Sequence, residues 1–518
     1  MTMRTRLATL GSRAWFIPAL LAAVLASVYL WTLLPGPGYH GDTAKFGFVG
    51  HTLGTPHETG YPTYLALNYA FTHLFPLGSI AYRANLLSAL LAVLTCLVLY
   101  RIQLLLEIDR WISCTTSLVF GLSYTFWSQA VIAEVYTLNA LFLAGTVLFF
   151  LRWHLRQRTA DFFLACAAYA ISFGNHLTMI TALPAIVFMV WTTDRGAFVD
   201  RRKIFGVLLL IALGAAQYLY CFWRSSAAET SYLEMQTPDV ASFWGSVTGG
   251  RFKARMFGYP LAWVFYYRVP LFAGYMVREF LYLIPFPLLG IMFFRSPKIN
   301  IFLLLLVAGN LLFALTYSIT DIFVYLIPTY LVLTIYLGEG LRWTFELLGK
   351  KGLRIPAFAL VILPAVFFWT NIQYNSFQTD VKEDAEVISL LRTVDRDAVV
   401  IVYDYHYAMM LYYYVLCERW NERNIHIAYY HEGFPVRGIA EYVLHDRPFR
   451  VTVTREDVVP GLTPYFFSES FKDYYNLPDK QESLRQGAQY ILSQFESFGV
   501  RSEGVQDFLY RFVPNNGD

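Results

Sequence analysis

Charge is scarce in this chain: Asp, Glu, Lys and Arg make up 15% of its 518 residues, while 56% are hydrophobic. Soluble globular domains carry roughly a quarter charged residues, so an ordinary water-facing surface is excluded for most of the length. With a mean hydropathy of +0.44, the composition is that of a polytopic membrane protein. Cysteine is sparse too. Cys96, Cys114, Cys166 and Cys221 lie in or beside apolar runs and Cys417 is alone in the tail, which excludes a disulfide framework and a CxxC metal pair. No Gly-rich phosphate loop, zinc motif, nucleophile elbow or internal repeat occurs. The net charge of +3 resides in short loops between apolar runs and speaks of topology, with no nucleic-acid partner implied.

What the chain has instead is apolar runs of spanning length, about 20 residues each or somewhat shorter. These are Trp15–Leu34, Ala84–Tyr100, Trp111–Trp127, Val135–Leu151, Ile204–Trp223, Phe280–Phe294, Ile299–Thr320, Ile322–Leu337 and Ile355–Asn371. The first is too long and too rich in Trp and Tyr for a cleaved signal peptide. Phe162–Trp191 is a further stretch without Asp, Glu, Lys or Arg, interrupted by Gly174-Asn175-His176. Arg152, Arg156 and Arg158 precede it, and Arg195, Arg201, Arg202 and Lys203 follow. Both clusters are cytoplasmic by the positive-inside rule, so the stretch goes out and returns as two short helices. About eleven spans result, with the N-terminus inside and the C-terminal tail outside. The other basic loops agree, including Arg101/Arg110, Arg295/Lys298 and Lys350/Lys351/Arg354.

This topology divides the chain into a membrane body, 1–375, and an extracytoplasmic domain, 376–518. The body carries a first outer loop (35–83) and a large outer loop (224–269). Two short surface helices, Asp42–Leu53 and Tyr61–Phe75, are expected in the first loop. In the tail Ala398–Tyr403, Ile425–Tyr430 and Phe449–Thr454 read as strands. Helical patterns fall at Glu383–Leu391, Tyr407–Trp420, Arg437–Leu444 and Gln481–Phe498, the alternation of a small α/β domain with a parallel sheet. Asp404 ends the first strand, where such sheets place ligands, but no phosphate loop follows. A structural or acceptor-recruiting role is expected for this domain, ahead of catalysis.

Ionisable groups at the membrane boundary are costly and mark candidate sites. Asp42, Glu134, His176, Arg278/Glu279 and Asp321 stand out, and all but the Arg–Glu pair fall at outer ends of spans, where one cavity holds them together. Each also has a plain structural reading. Asp42 and Asp321 precede helices and suit caps; Glu134 favours a helix dipole; His176 satisfies backbone freed by the Gly-Asn break. Arg251, Lys253 and Arg255 sit among aromatics in the large outer loop and suit either an anionic headgroup or interfacial anchoring.

The run Gly41–Phe46 (GDTAKF), followed by LGTPHETGYPTY, resembles the GD-S-G-E-F…LG-x-x-H-P-P-G-Y-P-L-Y signature of a membrane glycosyltransferase family of the GT-C fold. That family includes a eukaryotic protein O-mannosyltransferase. WSQAVIAEVYTLNALF, FGNHLT and DIFVYLIPTYLVL are similar to its later motifs, in order, to about residue 340. Matching positions are Asp42, His57, Gly60, Tyr61, Pro62, Glu134, Tyr136, Asn175, His176 and Asp321. The family's Glu is Lys45 here, and its Pro-Pro is Glu58-Thr59.

The resemblance implies a polyprenyl-phosphate sugar donor, with mannose or a similar hexose, and an acid in the first outer loop as base. The acceptor is a hydroxyl on protein or glycan. The sequence does not name the host, for which a bacterial inner membrane is the simplest home. One displacement assisted by one base inverts the anomeric centre and needs no second carboxylate as nucleophile; with so few clustered carboxylates, no cofactor or metal is expected. Asp42 is the expected base. His57, Tyr61, Glu134, Tyr136, Asn175, His176 and Asp321 are expected to bind donor or acceptor, and Arg251, Lys253 and Arg255 the phosphate. Two rival readings are a secondary transporter, which needs matched broken helices and midplane charges, and an inactive binding relative carrying the Lys45 substitution.

Overall fold

The computed structural model describes residues 15–226, 232–351, 359–402, 404–429, 436–445, 447–451, 457–458, 460–467, 489–506 and 508–515. Apolar helices build its first part. Five are long and apolar enough to cross a bilayer: Ile80–Leu105, Tyr136–Arg156, Arg201–Ser226, Pro297–Thr316 and Ile322–Lys350. Leu261–Leu283 and Pro285–Met292 make a sixth if counted together, but they meet at 88°. Phe280–Phe294, read as a simple span, is thus a bend: Leu281 takes a positive φ of 50°, and Pro285 and Pro287 follow at once. Phe16–Thr32, Thr159–Ser172 and Leu177–Thr193 are shorter apolar helices. Eleven spans are therefore more than helix length alone supports among the described residues.

The reading of Phe162–Trp191 as two short helices holds. Thr159–Ser172 stops at the Gly174-Asn175-His176 break, and a 3-10 turn, Leu177–Ala182, leads into Leu183–Thr193. Arg201–Ala216 packs differently from its neighbours. Only Gly214 on it is buried, whereas Phe205, Leu208, Ile211 and Leu213 are exposed, so it stands away from the bundle and presents apolar side chains outward.

The C-terminal part carries a five-stranded sheet in the order β2-β1-β5-β7-β6. Its strands are β1 (Ala398–Val402), β2 (Ile425–Tyr429), β5 (Thr463–Phe467), β6 (Val500–Gln506) and β7 (Leu509–Pro514). β1 lies parallel to β2 and β5 with all five of its residues buried, while β7 runs antiparallel between β5 and β6. The third parallel strand is β5 and not the expected Phe449–Thr454. Of that stretch, Phe449–Arg450 (β3) is extended and paired with Asp457–Val458 (β4) in a separate two-stranded sheet, and 452–454 lie outside the described residues. Pro464 hid β5 from pattern reading, because proline is rare inside strands; it lies near the strand start, and pairing with β7 begins only at Tyr465. The expected helices appear as Lys382–Thr393, Tyr405–Cys417 and Val436–His445; of the expected Gln481–Phe498, residues 481–488 lie outside the described residues and 489–496 are helical.

The first outer loop folds as Thr43–Phe48 and Pro62–Leu74, but Thr43–Phe48 is not a surface helix, since all six of its residues are buried. It shares one apolar core with the C-terminal sheet: Ala44, Phe46, Phe48 and Val49 pack with Tyr407–Val415 and β1. The C-terminal part thus closes over the loop and has no core of its own apart from it.

Candidate functional site

The site begins at a turn that favours glycine. Gly41 has φ +47°, and a Cβ there would lie 3.0 Å from Glu134 Oε1. The next residue, Asp42, donates its backbone N–H to that same oxygen at 2.9 Å. Its side chain makes no cap hydrogen bond, so the capping reading fails for Asp42. The carboxylate instead accepts a hydrogen bond from Tyr405 Oη, and Lys45 Nζ lies 3.3 Å from Oδ1.

Lys45 is 1% exposed and reaches three partners: Asp42, Glu234 Oε2 at 2.7 Å and His57 Nδ1 at 2.9 Å. An ammonium only donates, so His57 Nδ1 is the acceptor and the neutral ring carries its proton on Nε2. That nitrogen faces Tyr61 Oη at 2.9 Å and Asp42 Oδ2 at 3.7 Å. Glu234 is placed from the large outer loop, which is stitched to the first: Thr55 N–H donates to Tyr232 O (2.9 Å), and Glu234 N–H donates to Thr55 O (2.8 Å). Gly60, at φ +88°, lets the turn press against Cys221, whose Sγ would lie 2.6 Å from a Cβ.

These contacts sort the carboxylates by charge. Burial pushes Asp42 up, but Lys45, with the Tyr405 hydrogen bond, outweighs it and holds the carboxyl well below its ordinary range. Glu234 is likewise held down, with Lys45 overcoming burial. Burial disfavours the Lys45 ammonium, yet Asp42 and Glu234 keep its pKa above the usual value. Glu134 goes the other way: burial, then the charge on Asp42, pushes it well up. Asp321 is raised by burial and by Asp42, against the pull of Arg255. Neighbouring carboxyls whose surroundings push them in opposite directions are the pattern that separates acid–base roles.

One cavity of about 1190 Å³ joins these groups. Asp42, His57, Tyr61, Glu134, Tyr136, His176, Asp321 and Tyr325 line one end. Four rings gather there, with His176 centred 6.1 Å from Tyr61, 5.8 Å from Tyr136 and 5.5 Å from Tyr325. His176 keeps its structural role as well, its Nδ1 accepting from the Thr178 N–H at 3.3 Å. From this end an apolar groove runs between Thr159–Ser172, Leu183–Thr193, Arg201–Ala216 and Pro297–Thr316. Its lining on Arg201–Ala216 extends from Ala215 to Lys203, about 18 Å of helix.

Other expected residues lie elsewhere. Asn175 is buried, does not line the cavity, and donates to Val135 O at 3.1 Å, bracing the turn that carries Glu134. Lys253 and Arg255 are exposed and outside the lining, although Arg255 packs on the lining residue Phe252, 5.4 Å from its ring centre. The side chain of Arg251 lies outside the described residues. Asp404 is a cap, accepting from the Tyr407 N–H (2.9 Å) and from Tyr39 Oη (3.0 Å). Sequence reasoning missed Glu234, Tyr325 and Tyr405. Glu234 had a faint signal, as an acid in an aromatic-rich outer loop, and Tyr325 lies inside a quoted motif. Tyr405 had none.

Residues 42–197 match the family described as "Protein O-mannosyl-transferase TMEM260 N-terminal domain". The family resemblance read from the sequence therefore stands over that stretch. The chain is 30% identical over 189 residues to mouse (Mus musculus) protein O-mannosyl-transferase TMEM260, covering 34% of this chain and 26% of that protein. It is 21% identical over 220 residues to the Dictyostelium discoideum protein O-mannosyl-transferase tmem260, covering 39% and 27%. The match thus spans about a quarter of the length of these relatives. In structure the chain is similar to ArnT from Cupriavidus metallidurans bound to undecaprenyl phosphate, with a TM-score of 0.59 at 11% identity over 98% of this chain and 99% of that one. It is also similar to the Archaeoglobus fulgidus oligosaccharyltransferase in complex with Zn and sulfate, with a TM-score of 0.53 at 14% identity over 95% and 73%. The fold is GT-C, as the motifs implied.

Proposed function

We propose that the chain is an inverting glycosyltransferase that moves a hexose, mannose or a close relative, from a polyprenyl-phosphate donor to an acceptor hydroxyl. The observation that carries this reading is the single cavity in which an ionised Asp42 stands at the head of a long apolar groove. A lipid-linked sugar needs that combination, an apolar slot for the tail and polar groups at the reacting end. The family match and the ArnT likeness support the same donor class.

In the proposed step the acceptor oxygen attacks the anomeric carbon while Asp42 takes the hydroxyl proton. The bond from that carbon to the phosphate oxygen breaks, and polyprenyl phosphate leaves with the electron pair. Tyr61, Tyr136, His176 and Tyr325 form walls for the sugar ring, and Glu134 and Asp321 bind its hydroxyls. Arg255, with Lys253 and Arg251 on the same loop, draws the phosphate toward Phe252. The leaving polyprenyl phosphate is already a stable anion, so the proposed step calls on cations of the chain and not on a metal, and transfer is expected to survive thorough chelation. The site faces the extracytoplasmic side by the distribution of basic loops, and the named relatives, being eukaryotic, lend the bacterial home no support.

The deciding experiment is transfer from defined polyprenyl-phosphate sugars by purified protein and by Asp42→Asn. Loss of a general base lowers the rate by about 10²–10⁴-fold. Equal transfer by an active wild type and the variant rejects the assignment.

A further inference from the structure

Among the described residues, the C-terminal part touches the proposed base through Tyr405. Tyr405 is the first residue of helix Tyr405–Cys417, directly after β1, and is fixed there by the Asp404 cap. Its hydroxyl donates to Asp42 Oδ1, a contact between residues 363 apart in sequence. Its ring lies under the Lys45 ammonium, with Nζ 4.8 Å from the ring centre, and makes an edge contact with Tyr429 on β2 at 6.1 Å. The helix it opens is the one that packs on Thr43–Phe48, so ring and base are carried on two elements of one core.

We propose that Tyr405 is a positioning residue for the transfer reaction: it holds the Asp42 carboxylate in one rotamer, with Oδ1 engaged and Oδ2 turned to the cavity, so that the C-terminal part completes the active site. The proposal rests on the reading of Asp42 as base. The geometry argues for it in three ways. Asp42 has no cap hydrogen bond to fix its side chain, so restraint comes from elsewhere. Both Lys45 and Tyr405 engage Oδ1, whereas Oδ2 has His57 Nε2 at 3.7 Å, beyond hydrogen-bond length. And burial, with the charges of Asp42 and Glu234, keeps the Tyr405 phenol protonated, so it acts as a donor throughout. The groups facing Asp42 are Lys45, His57, Tyr405 and, through its backbone, Glu134, with Asp321 farther along the cavity.

The test compares Tyr405→Phe with Tyr442→Phe in the full-length protein. Tyr442 also loses a buried hydroxyl, one that bonds the Leu462 backbone inside the C-terminal part. Thermal unfolding in detergent, binding of the sugar-free polyprenyl phosphate, kcat and KM are measured for each. Tyr405→Phe is expected to lower kcat tenfold or more with lipid affinity unchanged within twofold, while Tyr442→Phe leaves kcat alone. A double-mutant cycle with Asp42→Asn adds the coupling readout: in the Asn background the Tyr405 change has no further effect on residual transfer. Equal loss of kcat in both Phe variants, tracking their melting temperatures, would overturn the proposal, as would a Tyr405→Phe variant with wild-type kcat. If Asp42→Asn itself keeps full activity, the base assignment fails, whereas a wild-type Tyr405→Phe beside an inactive Asp42→Asn rejects the positioning role alone.

Discussion

Lys45 is where this chain departs most sharply from its family motif, and replacing it gives a sharp expectation. Its ammonium is 2.7 Å from Glu234 and 3.3 Å from Asp42, with 1% of its surface exposed. At an effective dielectric of about 20 those two attractions are worth about 6 and about 5 kcal/mol before desolvation is subtracted. Removing one partner of a buried pair costs about 3–5 kcal/mol net, because the charges left behind are uncompensated. Lys45→Met therefore leaves two carboxylates facing each other and is expected to destabilise by that amount. Lys45→Glu, which restores the family residue, places three acids together and is expected to be worse. The double change Lys45→Glu/Glu234→Lys returns a cation to the cluster and recovers most of the stability lost by the single change. Melting of the detergent-solubilised protein, followed by tryptophan fluorescence, reads the order, and sugar transfer is measured beside it. A Lys45→Glu protein as stable as wild type, or a double variant no better than the single, refutes the electrostatic reading.

Three further outcomes follow from other parts of the molecule. Burial, reinforced by Asp380 and Glu383, raises Asp384 to about 6; the folded state then binds this proton more tightly than the unfolded one, so stability falls as pH climbs from about 4 to about 6, by at most about 3 kcal/mol. Asp384→Asn is expected to flatten that slope in melting temperatures measured across the window, and an unchanged slope rejects the assignment. Gly41→Ala forces a side chain into a positive φ and against Glu134, and is expected to cost about 1–3 kcal/mol with transfer reduced at least tenfold, as checked by melting and initial rates. In the groove, Ile211→Trp is expected to weaken competition by long-chain polyprenyl phosphate while sparing a short-chain analogue; equal effects on both would show that the tail does not lie there.

The sequence and the structure agree where one stretch of chain decides the outcome, and part where distant segments meet. Gly174-Asn175-His176 broke a long apolar run between two basic clusters, and the chain turns there. Asp42, Glu134, His176 and Asp321 could be gathered in advance because topology alone put all four at outer ends of helices. Asn175 sits in the same motif, but periodicity gives no sign that it faces the neighbouring turn and not the cavity. The 88° bend at Leu281–Pro285 was concealed by uniform hydrophobicity, and β5 by its proline. Glu234 and Tyr405 escaped for the deepest reason. Their places beside Lys45 and Asp42 are fixed by tertiary packing over long separations, about which local pattern carries no information.

The burial of Thr43–Phe48 has a consequence in time as well as space. The helix is made early in synthesis, but the segment that covers it, Tyr405–Cys417, follows some 363 residues later. N-terminal parts of a chain fold first as it emerges. Until its cover arrives, this helix lacks the packing that buries Phe46 and Phe48, and Asp42 before it lacks its Tyr405 contact. The packing around Asp42 is thus a property of the finished chain, and an unfinished one carries the motif without the contacts that enclose it.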